Sequence, residues 1–157
     1  MNFVVGVGAS GAMAERNVID GMARIAAHPS CVVRGRSRLY ENPAFGGVTS
    51  ERFVNAAVVV DTSLSAAVLL RELHAIERRG GRVRGVSNSA RALDLDLLWA
   101  LDAIAPSTAP AVPHPRVLER PSAVVPAVEA IENAGLVVPE PLRAGARAAA
   151  GARMTSR

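Results

Sequence analysis

The chain has 157 residues, half of them hydrophobic and 20% charged, which predicts one globular domain with a core of its own. The formal net charge is +4, and every position counted as Lys or Arg is an arginine, which excludes a lysine-dependent phosphate loop and a lysine Schiff base. One Trp, one Tyr and three Phe are too few for the stacking platforms of proteins that bind single-stranded nucleic acid.

The compartment is indicated by what the chain lacks. Its longest apolar runs are too short to span a membrane, and its N-terminus lacks the basic and apolar regions of a signal peptide. The single cysteine, Cys31, excludes an internal disulfide and a cysteine-based zinc site, and its apolar neighbours predict a buried, inert thiol. We therefore expect a cytoplasmic protein that binds neither nucleic acid nor membranes.

The first segment predicts a buried strand that leads into a glycine-rich turn and a helix. The strand covers Asn2–Gly8, and residues 6–11 read GVGASG, which matches the G-x-G-x-x-G dinucleotide fingerprint. Apolar residues at helical spacing predict a helix over Ala12–Ala27, where a His-Pro pair ends it. A second strand is expected over Cys31–Tyr40. Because Arg34 within it suits a 2′-phosphate, an NADP-binding domain is one interpretation of this region.

The middle of the chain predicts a long strand followed by a helix. Glu41–Arg52 reads as a Pro/Gly loop, and Phe53–Thr62 is an apolar strand with one polar position near its start, Asn55. An asparagine amide offers a donor and an acceptor, which suits the edge of a heterocycle. The alternative is an asparagine that hydrogen-bonds loop backbone. Thr62–Arg79 has the apolar spacing of an amphipathic helix.

The stretch from residue 82 to residue 99 carries three arginines and then two carboxylates: Arg82, Arg84, Arg91, Asp94 and Asp96. On a strand both aspartates point to one face, with Cα atoms ~6.6 Å apart, while the leucines between them point to the core. Adjacent carboxylates repel each other unless a cation such as Mg²⁺ lies between them, and the arginines are suited to binding its phosphates. The alternative is an edge strand with two solvated acids.

The order of predicted elements through Trp99 is β-α-β-β-α-β, the ferredoxin-like core of an α+β fold, followed by a C-terminal extension. This order disfavours the dinucleotide-binding interpretation, because no helix separates the second strand from the third. Residues 1–142 are expected to form a single domain, and the Ala/Arg-rich segment 143–157 a disordered tail. Prolines on both sides of His114 place it in a defined loop.

Several landmarks follow one another in a single order. They are Tyr40-x-x-Pro43, Phe53-Val54-Asn55-Ala56, Glu77 ahead of Gly80-Gly81-Arg82-Val83-Arg84, Arg91-Ala92-Leu93-Asp94-Leu95-Asp96, Val112-Pro113-His114-Pro115 and Glu119-Arg120. This set resembles the 6-hydroxymethyl-7,8-dihydropterin pyrophosphokinase family from about residue 3 to residue 130. The resemblance implies an ATP-dependent enzyme of folate biosynthesis that transfers pyrophosphate from ATP to the hydroxymethyl group of a dihydropterin and releases AMP.

The resemblance also implies roles for individual residues. Asp94 and Asp96 would hold two Mg²⁺ ions on the phosphates of ATP. Separately from the resemblance, we expect a monomer or a weak homodimer. The implied catalytic residues are Arg82 and Arg91, the implied nucleotide-binding residues are Glu77, Arg84, His114 and Arg120, and the implied pterin-binding residues are Pro43, Phe45, Phe53 and Asn55.

Among the departures from the family pattern, two leave alternatives open. The family's G-S-N turn is replaced by Gly8-Ala9-Ser10, and Ser122 stands where a second stacking aromatic is typical. Losing a stacked ring removes ~0.5–1.5 kcal/mol of aromatic geometry and ~1.5–3 kcal/mol of burial. One alternative is therefore the same chemistry on a modified pterin, for example on a methanopterin-like route. Another is a non-catalytic relative, against which the retained aspartates and arginines weigh.

Overall fold

The computed structural model describes residues 1–43, 52–80, 92–104, 109–151 and 155–156. Its elements follow the predicted α+β order, except that a short additional strand covers Tyr40–Pro43, most of which falls in the predicted Pro/Gly loop. None of the helices in these ranges is long and apolar enough to cross a membrane. The elements are β1 (Asn2–Ser10), α1 (Ala14–Ala26), β2 (Cys31–Arg36), β3 (Tyr40–Pro43), β4 (Arg52–Thr62), α2 (Ala66–Arg79), β5 (Asp94–Ala100), α3 (Pro121–Asn133), α4 (Glu140–Ala148), a 3-10 turn (Ala149–Gly151) and β6 (Thr155–Ser156).

The strands of the described ranges form one antiparallel sheet in the order β5-β1-β4-β3-β6, and β2 also pairs with β4. β4 has 11 residues, enough to pair with β3 along its first half and with β2 along its second half. β1 lies between β4 and β5. Its residues Val4 and Val5 point to opposite faces and are both 0% exposed. A strand covered on both faces reads as a continuous apolar run, which is why the sequence predicts it as buried.

The two faces of the sheet have different neighbours. The first face, which includes Val5 and Leu95, packs against α1 and α2. On the second face, Val4 and Val59 pack against α3. Farther along the second face the side chains are polar and partly exposed: Asn42, Asn55, Asp94 and Asp96. Helix α3 therefore covers one end of this face and leaves the other end accessible.

Helix α4 crosses the predicted boundary between domain and tail. Its residue Leu142 is 0% exposed, and Gly145 lies against Val124 of α3, where a Cβ would be 3.1 Å from Val124 Cγ2. The first part of the Ala/Arg-rich segment is thus helical rather than disordered, because its apolar side packs on α3. The division into a single domain and a tail stays a prediction.

Cys31 has the environment that the sequence predicts. It is a free cysteine in β2 and packs within the core on the first face. Burial raises the pKa of its thiol, with a smaller opposing effect from the Thr62 hydrogen bond. A raised pKa keeps the sulfur protonated and unreactive.

Gly35 lets β2 approach α3 closely. A Cβ at this position would lie 2.4 Å from the carbonyl oxygen of Ala130 and 2.5 Å from the backbone nitrogen of Ala134. Both are main-chain atoms of the α3 C-terminal turn, so the clash is relieved only by moving the helix or the strand.

We expect Gly35→Ala to destabilise the fold by about 1–3 kcal/mol, the usual cost of overpacking. For a chain of this size that corresponds to a fall in Tm of about 2–4 °C per kcal/mol, measured by circular dichroism. Gly151→Ala is the matched control, since nothing lies within 4 Å of a Cβ there. An equal Tm for the two variants would contradict the close approach of β2 to α3.

Candidate active site

The accessible end of the second sheet face brings together residues from β4, β1 and β5. Gly8 lies opposite Asn55 on one side and opposite Asp94 on the other. Residues paired across antiparallel strands share a face, so Asn55 and Asp94 point to the same side with Gly8 between them. Two strand spacings separate their Cα atoms by about 10 Å. Gly8 has no side chain, so the floor of the site at this point is backbone.

The predicted alternation along β5 is confirmed. Leu93, Leu95 and Leu97 are 2%, 1% and 3% exposed and pack on the first face. Asp94 and Asp96 lie on the second face and are partly exposed. The two carboxylates are therefore neighbours on one surface, as the two-residue period of a strand requires.

The electrostatic surroundings of Asp96 identify the groups near it. Burial raises the pKa of Asp96 most, the neighbouring charge of Asp94 raises it further, and Glu77 raises it least. His114 and Arg120 act in the opposite direction and lower that pKa. Four residues that the sequence predicts as parts of the site thus lie within electrostatic range of Asp96.

Glu77 is buried between α2 and β5. Its side chain is 1% exposed, and its Oε1 accepts a hydrogen bond of 2.8 Å from the backbone N–H of Leu95. That N–H lies between the two aspartates in the chain, so Glu77 fixes the strand that presents them. The predicted contact of Glu77 with a nucleotide stays a prediction.

His114 is held beside β5 by its own backbone. Its N–H donates to the carbonyl oxygen of Leu98 at 2.9 Å, and its Nδ1 accepts from the backbone N–H of Arg116 at 3.2 Å. A ring nitrogen that accepts carries no proton, so in the neutral imidazole the proton is on Nε2. Arg120 is exposed at the N-cap position of α3.

The polar groups at the other side of Gly8 are two asparagines. Nδ2 of Asn55 donates to Oδ1 of Asn42 at 3.0 Å, so the bond joins two side chains rather than a side chain and loop backbone. Oδ1 of Asn55 would be 2.8 Å from a Cβ on Gly8. Phe53 shares this face, lies opposite Asn42 and is partly exposed.

Of the remaining predicted site residues, some lie within the described ranges and others do not. Pro43 is in β3, with its backbone opposite Arg52. Ser122, the position of the missing aromatic, is half-buried in the first turn of α3. Four predicted residues lie outside the described ranges: Phe45, Arg82, Arg84 and Arg91.

Sequence reasoning missed Asn42 and Gly8. Asn42 falls within the stretch predicted as a Pro/Gly loop, and the only signal for it is a polar side chain between Tyr40 and Pro43. Gly8 ends the predicted first strand, and one disfavoured interpretation takes it as part of a dinucleotide fingerprint. That interpretation is wrong, because both Gly6 and Gly8 lie inside β1 and α1 begins only at Ala14, after the strand has ended. A fingerprint glycine has to form the turn between strand and helix.

The two aspartates suit Mg²⁺ better than a metal held by protein alone. Within the described ranges, no group of three or more His, Cys, Asp or Glu side chains is placed to hold a metal ion. Mg²⁺ takes one or two carboxylates and completes its shell with waters and substrate phosphates. Asp94 and Asp96 fit that donor set, and a cation would also relieve the repulsion that raises the pKa of Asp96.

Comparison with known protein families decides the family. A model of the 7,8-dihydro-6-hydroxymethylpterin-pyrophosphokinase (HPPK) family matches residues 4–132. The chain belongs to this family. The matched range includes both aspartates of β5, the asparagine pair and His114, so the residues that share the accessible face are all within the family's own region.

Individual relatives agree with this assignment. A 2-amino-4-hydroxy-6-hydroxymethyldihydropteridine pyrophosphokinase from Synechocystis sp. is 33% identical over 126 residues, which are 80% of this chain and 64% of the relative. A protein of the same name from Helicobacter pylori is 37% identical over 92 residues, 57% of this chain and 56% of the relative. A mitochondrial folate synthesis bifunctional protein from Pisum sativum is 39% identical over 98 residues, 61% of this chain and 19% of the relative. The chain thus spans less than two thirds of the length of these relatives.

We expect Asp96→Asn to raise Tm at neutral pH in metal-free buffer. Because burial and Asp94 raise the pKa of Asp96, the folded chain binds this proton more tightly than the unfolded chain. Stability therefore falls as the pH rises from the ordinary aspartate pKa of about 3.9 through the raised value. The neutral amide avoids this loss, and each kcal/mol recovered adds about 2–4 °C to Tm.

The measurement is Tm by circular dichroism from about pH 3.5 to about pH 7.5, with Asp20→Asn, on the exposed side of α1, as the control. The gain should be present at the upper end of this range and shrink towards the lower end. A variant that is less stable than the parent protein at neutral pH would show that Asp96 is not electrostatically strained.

Proposed function

We propose that this chain transfers pyrophosphate from ATP to the hydroxymethyl group of 6-hydroxymethyl-7,8-dihydropterin and releases AMP, as a step of folate synthesis. The observation that carries the proposal is the pair Asp94 and Asp96 on the same accessible face as Asn55, in a chain of the pyrophosphokinase family. A separation of about 10 Å between the carboxylate side and the amide side leaves room for phosphates next to the first and a heterocycle next to the second.

In this reaction the hydroxyl oxygen of the acceptor forms a bond to the β-phosphorus of ATP. The bond from that phosphorus to the α,β-bridging oxygen breaks, AMP leaves, and the hydroxyl proton passes to solvent. An alcohol is a weak nucleophile, so the protein contributes mainly by aligning the two substrates and neutralising charge. Bound Mg²⁺ would supply part of that neutralisation at the phosphates.

The phosphate side would be built by carboxylates, arginines and one histidine. Asp94 and Asp96 would hold two Mg²⁺ ions, and a histidine with its proton on Nε2 is a donor for a phosphate oxygen. Guanidinium groups bind phosphate oxygens in bidentate fashion, which suits an anionic transition state. We assign the transfer step to Arg82 and Arg91, and nucleotide binding to Glu77, Arg84, His114 and Arg120.

The acceptor side would be built by Pro43, Phe45, Phe53 and Asn55. The Asn55 amide is suited to the polar edge of a pterin, and Phe53 to stacking on its ring. Ser122 removes one ring from this side, so we expect weaker pterin affinity than in a family member that has both aromatics. We also propose a cytoplasmic location, with the chain acting as a monomer or a weak homodimer.

The test is AMP release from Mg·ATP, with and without 6-hydroxymethyl-7,8-dihydropterin. We expect pterin-dependent AMP, and a loss of at least about 10²-fold in kcat for Asp96→Ala, because the variant removes charge stabilisation at the phosphates. Asp20→Ala is the matched control, since Asp20 is an exposed carboxylate on α1.

Three outcomes would change the proposal. The proposal would be contradicted by AMP release that does not depend on the pterin, or by AMP release that Asp96→Ala retains at the wild-type rate. Binding of Mg·ATP without AMP release would redirect it to a modified pterin, for which Ser122 leaves more space. Neither binding nor turnover would favour a non-catalytic relative.

A further inference from the structure

The orientation of the Asn55 amide is set by a second asparagine. A side-chain amide has a donor end and an acceptor end, and rotation by half a turn exchanges them. In this structure the donor end faces β3, where Nδ2 bonds Oδ1 of Asn42 at 3.0 Å. The acceptor end, Oδ1, lies above Gly8, in the direction of the strand that carries Asp94.

We infer that Asn42 is a positioning residue: it holds the Asn55 amide with its carbonyl oxygen towards the centre of the site and thereby selects an acceptor that presents N–H donors there. This inference rests on the proposed function and deepens it. A pterin with a 2-amino group carries such donors at its polar edge, whereas a ring with only acceptors at that edge would meet the carbonyl oxygen of Asn55 and be repelled.

Gly8 is the first structural requirement for this orientation. A Cβ on Gly8 would be 2.8 Å from Oδ1 of Asn55, closer than a Cβ carbon approaches an oxygen to which it is not bonded. A side chain at this position of β1 would therefore displace the carbonyl end of the amide, whereas glycine leaves room for it over the central strand. The same glycine places no side chain of β1 between Asn55 and Asp94.

The attachment of β3 to α3 is the second requirement. β3 has only four residues, too few to hold Asn42 in place by strand pairing alone. The Tyr40 hydroxyl donates to Glu129 of α3 at 2.6 Å, and Nε of Arg38 donates to the same carboxylate at 2.7 Å. Tyr40 is two residues from Asn42 and opposite Asn55, so this network fixes the acceptor oxygen against which the Asn55 amide aligns.

Two substitutions at Asn42 separate orientation from packing. Asn42→Leu keeps the approximate size and removes the acceptor. Asn42→Asp keeps an acceptor and cannot donate, so it holds Nδ2 of Asn55 in the same direction. Asn133→Leu is the matched control, because it removes an asparagine hydrogen bond to the carbonyl oxygen of Arg36, at the C-terminal end of α3.

The experiment measures kcat and KM for the dihydropterin and for ATP in the wild-type chain, in these three variants and in Asn55→Leu. For Asn42→Leu we expect the pterin KM to rise about 5- to 10-fold, the worth of one hydrogen bond, with kcat and the KM for ATP unchanged. Asn42→Asp should stay within about threefold of the wild type, and Asn133→Leu should change neither KM. In the unliganded protein, NMR should show faster hydrogen exchange of the Asn55 side-chain amide in Asn42→Leu only.

The outcomes distinguish this inference from the proposed function. If Asn55→Leu raises the pterin KM and Asn42→Leu does not, the positioning role is wrong while the proposed function stands. If Asn42→Asp loses as much as Asn42→Leu, the bond runs in the opposite direction and the inference fails. If the wild-type chain turns over no dihydropterin, the proposed function is wrong. The inferred selection of the acceptor is then wrong as well, even if hydrogen exchange of the Asn55 amide is faster in Asn42→Leu.

Discussion

The hydrogen bond between the buried carboxylate of Glu77 and the backbone N–H of Leu95 is the interaction on which the site depends. β5 is paired with β1 on one side only in the described chain, and an edge strand can twist or shift its register. A one-residue shift would send Asp94 and Asp96 into the core and the leucines into the site. By anchoring the N–H between the aspartates to α2, Glu77 fixes which face the carboxylates occupy.

The same arrangement shows how the fold accommodates charge that is unfavourable for stability. Burial and the charge of Asp94 raise the pKa of Asp96, and His114 and Arg120 together offset only part of that combined effect. Functional sites commonly hold groups whose pKa values are shifted in this way, because the ligand rather than the protein completes their environment. Elsewhere the cores on both faces of the sheet are apolar and well packed, and they supply the stability that the site does not.

Those parts of the fold that depend on local periodicity could be predicted from the sequence. The alternation of acidic and apolar residues from Asp94 to Leu97 predicts a strand and shows which side chains share a face, because side chains of any strand alternate with a period of two. The landmark motifs then give the family. The interactions that orient the site could not be predicted, since the bond from Asn55 to Asn42 joins residues on either side of a loop and depends on strand register. The dinucleotide interpretation of GVGASG failed for a related reason, because spacing alone does not tell a glycine inside a strand from a glycine in a turn.

Because the site crosses the sheet, ligand binding there is coupled to the unfolding of the whole sheet. Asn42, Asn55, Gly8 and Asp94 come from four strands that lie side by side in the folded sheet. A ligand that spans this face therefore contacts residues of β3, β4, β1 and β5 at the same time. Its binding energy is added to the global unfolding free energy and not to that of one loop, so by mass action the substrates would protect even the amides of the central strand from hydrogen exchange.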